Sequence, residues 1–358
     1  MDEMEDHGGN IYDKDIRIDF SVNVNPFGMP EAVKRAAVRG VEESFRYPDP
    51  RQRELRQALS DAFCIPAERI VAGSGAAELI WGITAALQPG KALVCAPSFG
   101  EYEGALLARG CQVERFYLRG ENDWLATREL VRRAGEEPGL EMLFLCHPNN
   151  PTGRLAPAEI LKGLAHVCHE RKITLVVDEC FLDLTREGEA ASALALQGDC
   201  PELLVLRAFT KMYAMPGLRL GWLAAGGEET AERIRRMLPP WNVSWPAQMA
   251  GCAALEEQEF ARKSADLLLE EREWLSGQLR KLGFRVWPSD TTFLLFEGPE
   301  DLQEACLKEG IYIRDGASFP GLWAGTWRIG VRTREENLVL LELLREIMKE
   351  RKMDRWQK

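Results

Sequence analysis

Short runs of consecutive apolar residues alternate with amphipathic segments over the first two thirds of this chain. The runs have the length of strands, and the segments between them carry apolar residues at helical spacing. Strands that are apolar throughout and separated by helices form a parallel sheet covered on both faces. The predicted strands are residues 70–72, 92–96, 112–118, 142–146, 173–177, 203–206 and 220–225. The pattern therefore predicts an α/β fold.

The pattern changes after residue 238, where Pro239 and Pro240 interrupt the chain. Residues 245–282 form a long amphipathic stretch, which predicts helical structure leading out of the sheet domain. The later elements predicted are strands at 284–287, 292–296, 311–314 and 327–331, and helices at 299–309 and 335–352. These shorter elements predict a second, smaller domain.

Five residues or motifs that could serve a ligand fall where predicted strands end. They are Gly73–Gly75, Phe99, Asn150, Asp178 and Lys211. The carboxyl ends of parallel strands meet at one edge of a sheet, and ligands bind beyond that edge. Gly73–Gly75 leads into a helix, whose N-terminal N–H groups suit a phosphate. A tight turn without a ligand is the alternative for this glycine pair.

Lys211 follows an apolar strand, and Arg219 comes after a Pro-Gly turn. A lysine in a partly apolar site loses its proton easily and can bond covalently to an aldehyde. A nearby arginine suits a phosphate, and pyridoxal phosphate (PLP) is an aldehyde that carries one. Taken alone, the stretch is equally compatible with a surface lysine and a surface arginine.

Two segments near the N-terminus carry polar groups that a ligand could use. Ser21, Asn23 and Asn25 alternate with apolar residues, so their side chains share one face of an extended segment. That segment is either an edge strand or the lining of a pocket. Residues 7–10 read His-Gly-Gly-Asn, which is either a turn close to a ligand or a disordered arm.

Composition narrows the class of protein. The 358 residues are 46% hydrophobic and 28% charged, with a net charge of −11. The sequence has no stripe of basic residues that would indicate nucleic-acid binding. No apolar stretch is long enough to span a bilayer, and the N-terminus is acidic, unlike that of a signal peptide. We expect a cytoplasmic protein without nucleic-acid or membrane partners. The nine scattered cysteines form no C-x-x-C pair, and no metal site is predicted.

The order of these motifs resembles that of the fold-type I PLP enzymes, specifically the class I/II aminotransferase superfamily, over nearly the whole chain. The resemblance implies a large three-layer α/β/α domain with a mostly parallel sheet and a smaller α+β domain. It places an N-terminal arm and part of the small domain at 1–45, the large PLP-binding domain at 46–262, and the small domain at 263–358.

The resemblance also implies roles for individual residues. The cofactor-binding residues it predicts are Tyr47, Ala76, Ala77, Phe99, Asn150, Asp178, Thr210, Lys211 and Arg219. Lys211 and Asp178 are the predicted catalytic residues, since Lys211 would bond to PLP and Asp178 would meet its pyridine nitrogen. Tyr47 would reach the phosphate bound by a neighbouring subunit, which implies a homodimer. Ala208 and Phe181 stand at positions where many relatives have a residue with a hydroxyl group.

Within the superfamily the chain resembles the histidinol-phosphate aminotransferase group, and inside it the threonine-phosphate decarboxylases of cobalamin synthesis. The stretches on which this resemblance rests are residues 7–10, 21–28, 178–181, 313–316 and 327–337. The resemblance implies that Arg328 binds an α-carboxylate and that His7, Arg314 or Arg332 binds a second anion. The predicted substrate-binding residues are His7, Asn25, Gly28, Asn150, Arg314, Arg328 and Arg332.

Three functions remain open at this point. The chain could decarboxylate threonine phosphate, an amino-acid phosphate, or transfer the amino group of histidinol phosphate or another amino acid to 2-oxoglutarate. Both reactions use the same residues and differ in which bond of the α-carbon stands perpendicular to the cofactor ring. A non-catalytic regulator is the third possibility, and the presence of Lys211, Asp178 and Arg219 speaks against it.

Overall fold

The computed structural model describes residues 8–356, with side chains described for residues 8–350. The strands are β1 (Ile18–Asp19), β2 (Ile70–Gly73), β3 (Lys91–Ala96), β4 (Gln112–Tyr117), β5 (Met142–Cys146), β6 (Thr174–Asp178), β7 (Leu203–Ala208), β8 (Gly221–Ala225), β9 (Arg285–Val286), β10 (Phe293–Glu297), β11 (Ile311–Tyr312), β12 (Arg314–Asp315) and β13 (Thr326–Gly330). The α-helices are α1 (Glu31–Glu42), α2 (Arg53–Phe63), α3 (Gly75–Leu87), α4 (Glu101–Leu107), α5 (Arg128–Glu136), α6 (Ala158–Arg171), α7 (Glu228–Met237), α8 (Trp245–Leu255), α9 (Gln258–Lys281), α10 (Leu302–Lys308) and α11 (Arg334–Trp356).

The large sheet has seven strands in the order β2-β8-β7-β6-β5-β3-β4. Only β8 runs antiparallel to its neighbours, so the carboxyl ends of the other six strands share one edge. Side chains of β7 alternate between two apolar clusters: Leu203 and Val205 face one, and Leu204 and Leu206 face the other. Burial on both faces explains the continuous apolar runs, and the α/β prediction is confirmed.

The smaller sheet has four antiparallel strands in the order β12-β13-β10-β9. Its apolar side chains pack with those of α9, α10 and α11 in a separate cluster. The strand predicted at 311–314 is divided, because β11 pairs with β1 while β12 pairs with β13. The N-terminal strand β1 therefore joins the smaller unit.

The helical stretch predicted at 245–282 is also divided, into α8 and α9. The break falls at Glu256 and Glu257, where the sequence has neither proline nor glycine. Helix α1 packs closely on α8, where a Cβ on Gly40 would lie 2.5 Å from the Cα of Pro246. The domain boundary predicted at 262/263 lies inside α9, and the division of the chain into domains stays a prediction.

No helix within the described residues is long and apolar enough to cross a bilayer. Across residues 8–350, no group of three or more His, Cys, Asp or Glu side chains is arranged to hold a metal ion. All nine cysteines are free, and most of them are buried in apolar surroundings.

Candidate active site

The candidate site lies at the shared carboxyl edge of β5, β6 and β7. Cys146 at the end of β5 is in register with Asp178, and Asp178 is in register with Leu206 of β7. The turn carrying Asn150 follows β5 directly, and Lys211 lies shortly after β7. Neighbouring parallel strands thus bring together three residues that are distant in the sequence, as the motif positions predict.

Asp178 is held by two donors, one on α4 and one directly after β6. Its carboxylate accepts a hydrogen bond of 2.6 Å from the hydroxyl of Tyr102 and one of 3.0 Å from the N–H of Cys180. Tyr102 is fully buried, stacks on Phe144 at 5.0 Å, and meets Phe99 edge-on at 5.7 Å. Burial and the nearby Asp178 raise the pKa of Tyr102 well above its usual value. The hydroxyl therefore stays protonated and donates.

Lys211 has the environment that covalent chemistry with an aldehyde requires. Burial lowers the pKa of its amine, and the charges of Arg328 and Arg219 lower it further against the opposing effects of Cys180 and Asp178. A lowered pKa makes the unprotonated, nucleophilic amine more accessible. The nitrogen lies 5.5 Å from the ring centre of Phe181. Thr210, next to Lys211, is also buried.

The N-terminus of α3 and Arg219 form one donor cluster. A Cβ on Gly75 would lie 2.7 Å from Nη2 of Arg219, and Gly75 has a φ of +82°. The N–H of Ser74 is already taken by Glu78 at 2.6 Å. The N–H groups of the following first turn, which carries Ala76 and Ala77, have no acceptor within the helix. A guanidinium beside such N–H groups suits a phosphate.

Arg314 and Arg328 are cross-strand partners in the small sheet, and each is only 5% exposed. Arg328 donates to the side-chain oxygen of Asn150 and to the backbone oxygen of Ser21, and both partners are neutral. Burial first, and then the charge of Arg314, lower the pKa of Arg328 to about 9. A buried guanidinium whose hydrogen-bond partners are both neutral, with a second guanidinium close by, favours an anionic ligand, although the charge of Asp19 partly offsets this effect.

Other predicted substrate residues are engaged within the fold. Arg332 pairs with Glu336 at 2.8 Å and donates to the backbone oxygen of Asp19. The amide nitrogen of Asn25 donates to the backbone oxygen of Met212. These contacts give both side chains a structural role.

Gly28, Tyr47 and His7 are the remaining predicted residues. Gly28 has a φ of +80° and open space around it. Tyr47 is 78% exposed and lies 4.8 Å from the ring of Trp241, outside the cluster around Lys211. His7 lies outside the described residues, although the adjacent Gly8 is in contact with the backbone of Ser21.

Two residues of the site were not among the predicted ones. Tyr102 was not predicted because it belongs to no motif, and its hydroxyl meets Asp178 only when the fold brings α4 close to the end of β6. Asn23 is 5% exposed, and its side-chain oxygen has no hydrogen-bond partner in the described part of the chain. The alternation of Ser21, Asn23 and Asn25 indicated this face, but not which member is free to bind.

Comparison with known proteins assigns the family. The profile described as "Aminotransferase class I and II" matches residues 15–344, which is most of the chain. The chain belongs to this aminotransferase family. In a class I/II aminotransferase fold, the positions of Lys211, Asp178 and Asn150 at one sheet edge agree with the motif order found in the sequence.

The named relatives of this aminotransferase-family chain have two different activities. It is 37% identical to a threonine-phosphate decarboxylase of Salmonella typhimurium, over 96% of both proteins. The structure of a histidinol-phosphate aminotransferase from Clostridium acetobutylicum superposes with a TM-score of 0.86 at 28% identity, covering 92% of this chain and 99% of that one. An L-threonine-O-3-phosphate decarboxylase from Porphyromonas gingivalis gives a TM-score of 0.81 at 25% identity, covering 92% and 99%.

The residues present fit PLP, the cofactor that this aminotransferase family implies. The absence of a side chain at Gly75 lets the guanidinium of Arg219 lie against the N-terminus of α3, and the two sets of donors together suit a phosphate. Asp178 supplies a fixed carboxylate for a protonated ring nitrogen, and Lys211 supplies an amine of lowered pKa. Phe99 lies beside Tyr102 at the same edge, where an aromatic ring can stack on a planar cofactor.

Proposed function

We propose that this chain is a PLP-dependent decarboxylase that converts L-threonine O-3-phosphate to (R)-1-aminopropan-2-yl phosphate and CO2, a step of cobalamin biosynthesis. The observation that carries the proposal is the buried pair Arg314 and Arg328 beside Asn150. Two guanidinium groups on adjacent strands suit a substrate with two anionic ends. The 37% identity to a protein of that activity supports the same substrate.

Each residue contributes a separate task. Arg328 and Asn150 would bind the α-carboxylate, while Arg314 would face the phosphate end, with His7 as a further candidate. Asp178, oriented by Tyr102, would keep the ring nitrogen of PLP protonated. When bound, PLP supplies an electron sink for the pair released as the bond between the α-carbon and the carboxylate breaks. Lys211 would then deliver a proton to the α-carbon.

Transamination is the second candidate function. The fold matches that of a histidinol-phosphate aminotransferase with a TM-score of 0.86, and the residues around Lys211 suit either reaction. Incubation with threonine phosphate, with and without 2-oxoglutarate, separates the two. CO2 release without the keto acid supports the decarboxylase. Glutamate formation that requires the keto acid, with threonine phosphate or histidinol phosphate, would overturn it.

We also propose that the functional form is a homodimer. Helix α1 and the residues after it expose an apolar face, in which Val41 is 63%, Phe45 86% and Tyr47 78% exposed. Contiguous exposed apolar side chains mark interaction surfaces. Tyr47, in particular, lies outside the cluster around Lys211 of its own chain, as a residue serving a neighbouring site would. Sedimentation of the purified protein at a dimer mass is the expected result.

A further inference from the structure

Asp290 lies in the connection between β9 and β10 of the small sheet and contacts the turn that follows β5 of the large sheet. The backbone N–H of Asp290 donates to the oxygen of Gly153 at 2.7 Å. Its carboxylate accepts from the N–H of Leu155 at 2.9 Å and from Nη1 of Arg154 at 3.1 Å. One residue thus makes three hydrogen bonds to one short stretch that follows Asn150.

That stretch is a closed turn with little freedom of its own. Gly153 donates to the oxygen of Asn149 at 2.6 Å, and Asn149 donates to the oxygen of Arg154 at 2.8 Å. Gly153 has a φ of +76°, and a Cβ there would collide with the side chain of Ser289. The backbone of the turn therefore lies directly against the residue that precedes Asp290.

Asn150 lies inside this turn, and the small sheet contacts it from a second direction. Its side-chain oxygen accepts from Arg328 of β13. Asp178 and Lys211 belong to β6 and the loop after β7, and the turn with Asn150 follows β5 of the same sheet. The position of Asn150 is therefore set by β5 on one side and by the contacts with Asp290 and Arg328 on the other.

We propose that Asp290 is a positioning residue for Asn150: by holding the turn at residues 149–154, it sets where Asn150 meets the cofactor and the substrate carboxylate. This inference rests on the proposed function of the same site. The hydrogen bond to Leu155 is expected to matter more than the ion pair with Arg154, because that pair is partly exposed at 16% and 29%.

The test compares Asp290→Ala with Asp290→Asn in the holoenzyme. Asp290→Ala removes both side-chain bonds, so we expect the PLP dissociation constant and the KM for threonine phosphate each to rise about tenfold. Asp290→Asn keeps an oxygen for the N–H of Leu155 and should change both by less than about threefold. PLP binding is followed by absorbance titration, and KM by CO2 release.

Two further variants separate positioning from folding. Glu304→Ala, which removes an exposed ion pair with Lys308, is the matched control and should change neither quantity. Arg154→Met, which keeps the bond between Asp290 and Leu155, should have an effect below about threefold. A tenfold effect of this variant would assign the positioning to the ion pair and overturn the role given to the bond with Leu155. Urea unfolding of each variant measures stability in parallel.

The outcomes are distinguishable. If Asp290→Ala loses stability but keeps the PLP dissociation constant and KM of the wild type, Asp290 only joins the domains and the inference is overturned. If the wild type binds PLP but releases no CO2 from threonine phosphate, the proposed function fails. The PLP titration of Asp290→Ala would still decide whether Asp290 positions Asn150.

Discussion

Asp178 receives two hydrogen bonds from the fold itself, from the hydroxyl of Tyr102 and the N–H of Cys180. Together they fix the plane of the carboxylate, so its orientation does not depend on a ligand. At the residue scale, the site is therefore prepared by neighbours as much as by the residues that would touch a cofactor. The same logic applies to Lys211, whose amine is tuned by burial and by two nearby arginines.

Tyr102→Phe tests the preparation of Asp178. A hydrogen bond to a charged group contributes about 1.5–3 kcal/mol, so its loss should weaken PLP binding about tenfold and lower kcat. Absorbance titration and steady-state rates measure the two effects. Tyr117→Phe, at a residue that is 51% exposed, is the control and should leave both unchanged. Equal PLP affinity in Tyr102→Phe and wild type would contradict the prediction.

His147 predicts how stability depends on pH. Its ring accepts from the N–H of Ala156 and lies 3.0 Å from the oxygen of Ala191, so the neutral form is bound on both sides. Burial lowers the pKa of His147 to about 4, below its unfolded value. The unfolded chain binds the proton first, so this stabilisation is complete above pH 6.5 and is lost as pH falls toward 4.

The loss should be at most about 1.4 kcal/mol for each pH unit in that window. Chemical denaturation between pH 7 and pH 4.5 measures it. His147→Asn should be less stable at pH 7 and should show a flatter pH dependence. His166→Asn, at an exposed histidine, should keep the slope of the wild type. An unchanged slope in His147→Asn would assign the acid sensitivity to other groups.

At the scale of elements, the helix α3 carries the candidate phosphate cluster on its first turn. Gly75 combines a left-handed φ of +82° with a guanidinium 2.7 Å from where a Cβ would be. Gly75→Ala is therefore strained and also displaces Arg219. We expect a loss of about 1–3 kcal/mol in the free energy of unfolding and a PLP dissociation constant raised at least about tenfold.

Gly104→Ala is the matched control for this change, because Gly104 lies within α4 with open space around its Cβ position. An alanine there should leave PLP binding unchanged and stabilise the protein by about 0.5–1 kcal/mol. Thermal unfolding and PLP titration of both variants give the comparison. Normal PLP affinity in Gly75→Ala would exclude the first turn of α3 as the phosphate site.

The sequence predicted some elements well for a physical reason. Strands β5, β6 and β7 are buried on both faces, so their apolar runs are unbroken and their ends are visible. The break between α8 and α9 was not predictable, because glutamate is a good helix former and no proline or glycine interrupts the chain at Glu256 and Glu257. The hydrogen bonds that engage Asn25 and Arg332 depend on contacts with Met212, Asp19 and Glu336, which no local pattern reports.

At the scale of the whole molecule, the candidate site is completed by parts of the chain that lie outside the large sheet. Arg328 from the small sheet contacts Asn150, and Asn25 near the N-terminus donates its backbone N–H to the oxygen of Lys211 at 3.0 Å. Ligand binding should therefore stabilise the whole molecule. A ligand at one hundred times its dissociation constant adds about 2.7 kcal/mol.

The proposed dimer gives a prediction at this scale. Phe45→Glu places a charge in the exposed apolar face on and after α1, so we expect dissociation to a monomer, measured by sedimentation velocity. If Tyr47 serves the neighbouring site, the monomer should also bind PLP less tightly. Leu267→Glu, at another exposed apolar residue on α9, should leave the mass unchanged. A dimer that survives Phe45→Glu would place the interface elsewhere.

The pairing of β1 with β11 has a consequence for the order in which the molecule matures during translation. Ile18 pairs with Ile311, a residue made nearly three hundred positions later. At roughly 5–20 residues per second, the ribosome needs on the order of 15–60 s to supply that partner. Throughout this interval the N-terminal strand has no edge to join. The nascent chain can complete its central sheet first and acquire a working pocket only as synthesis finishes.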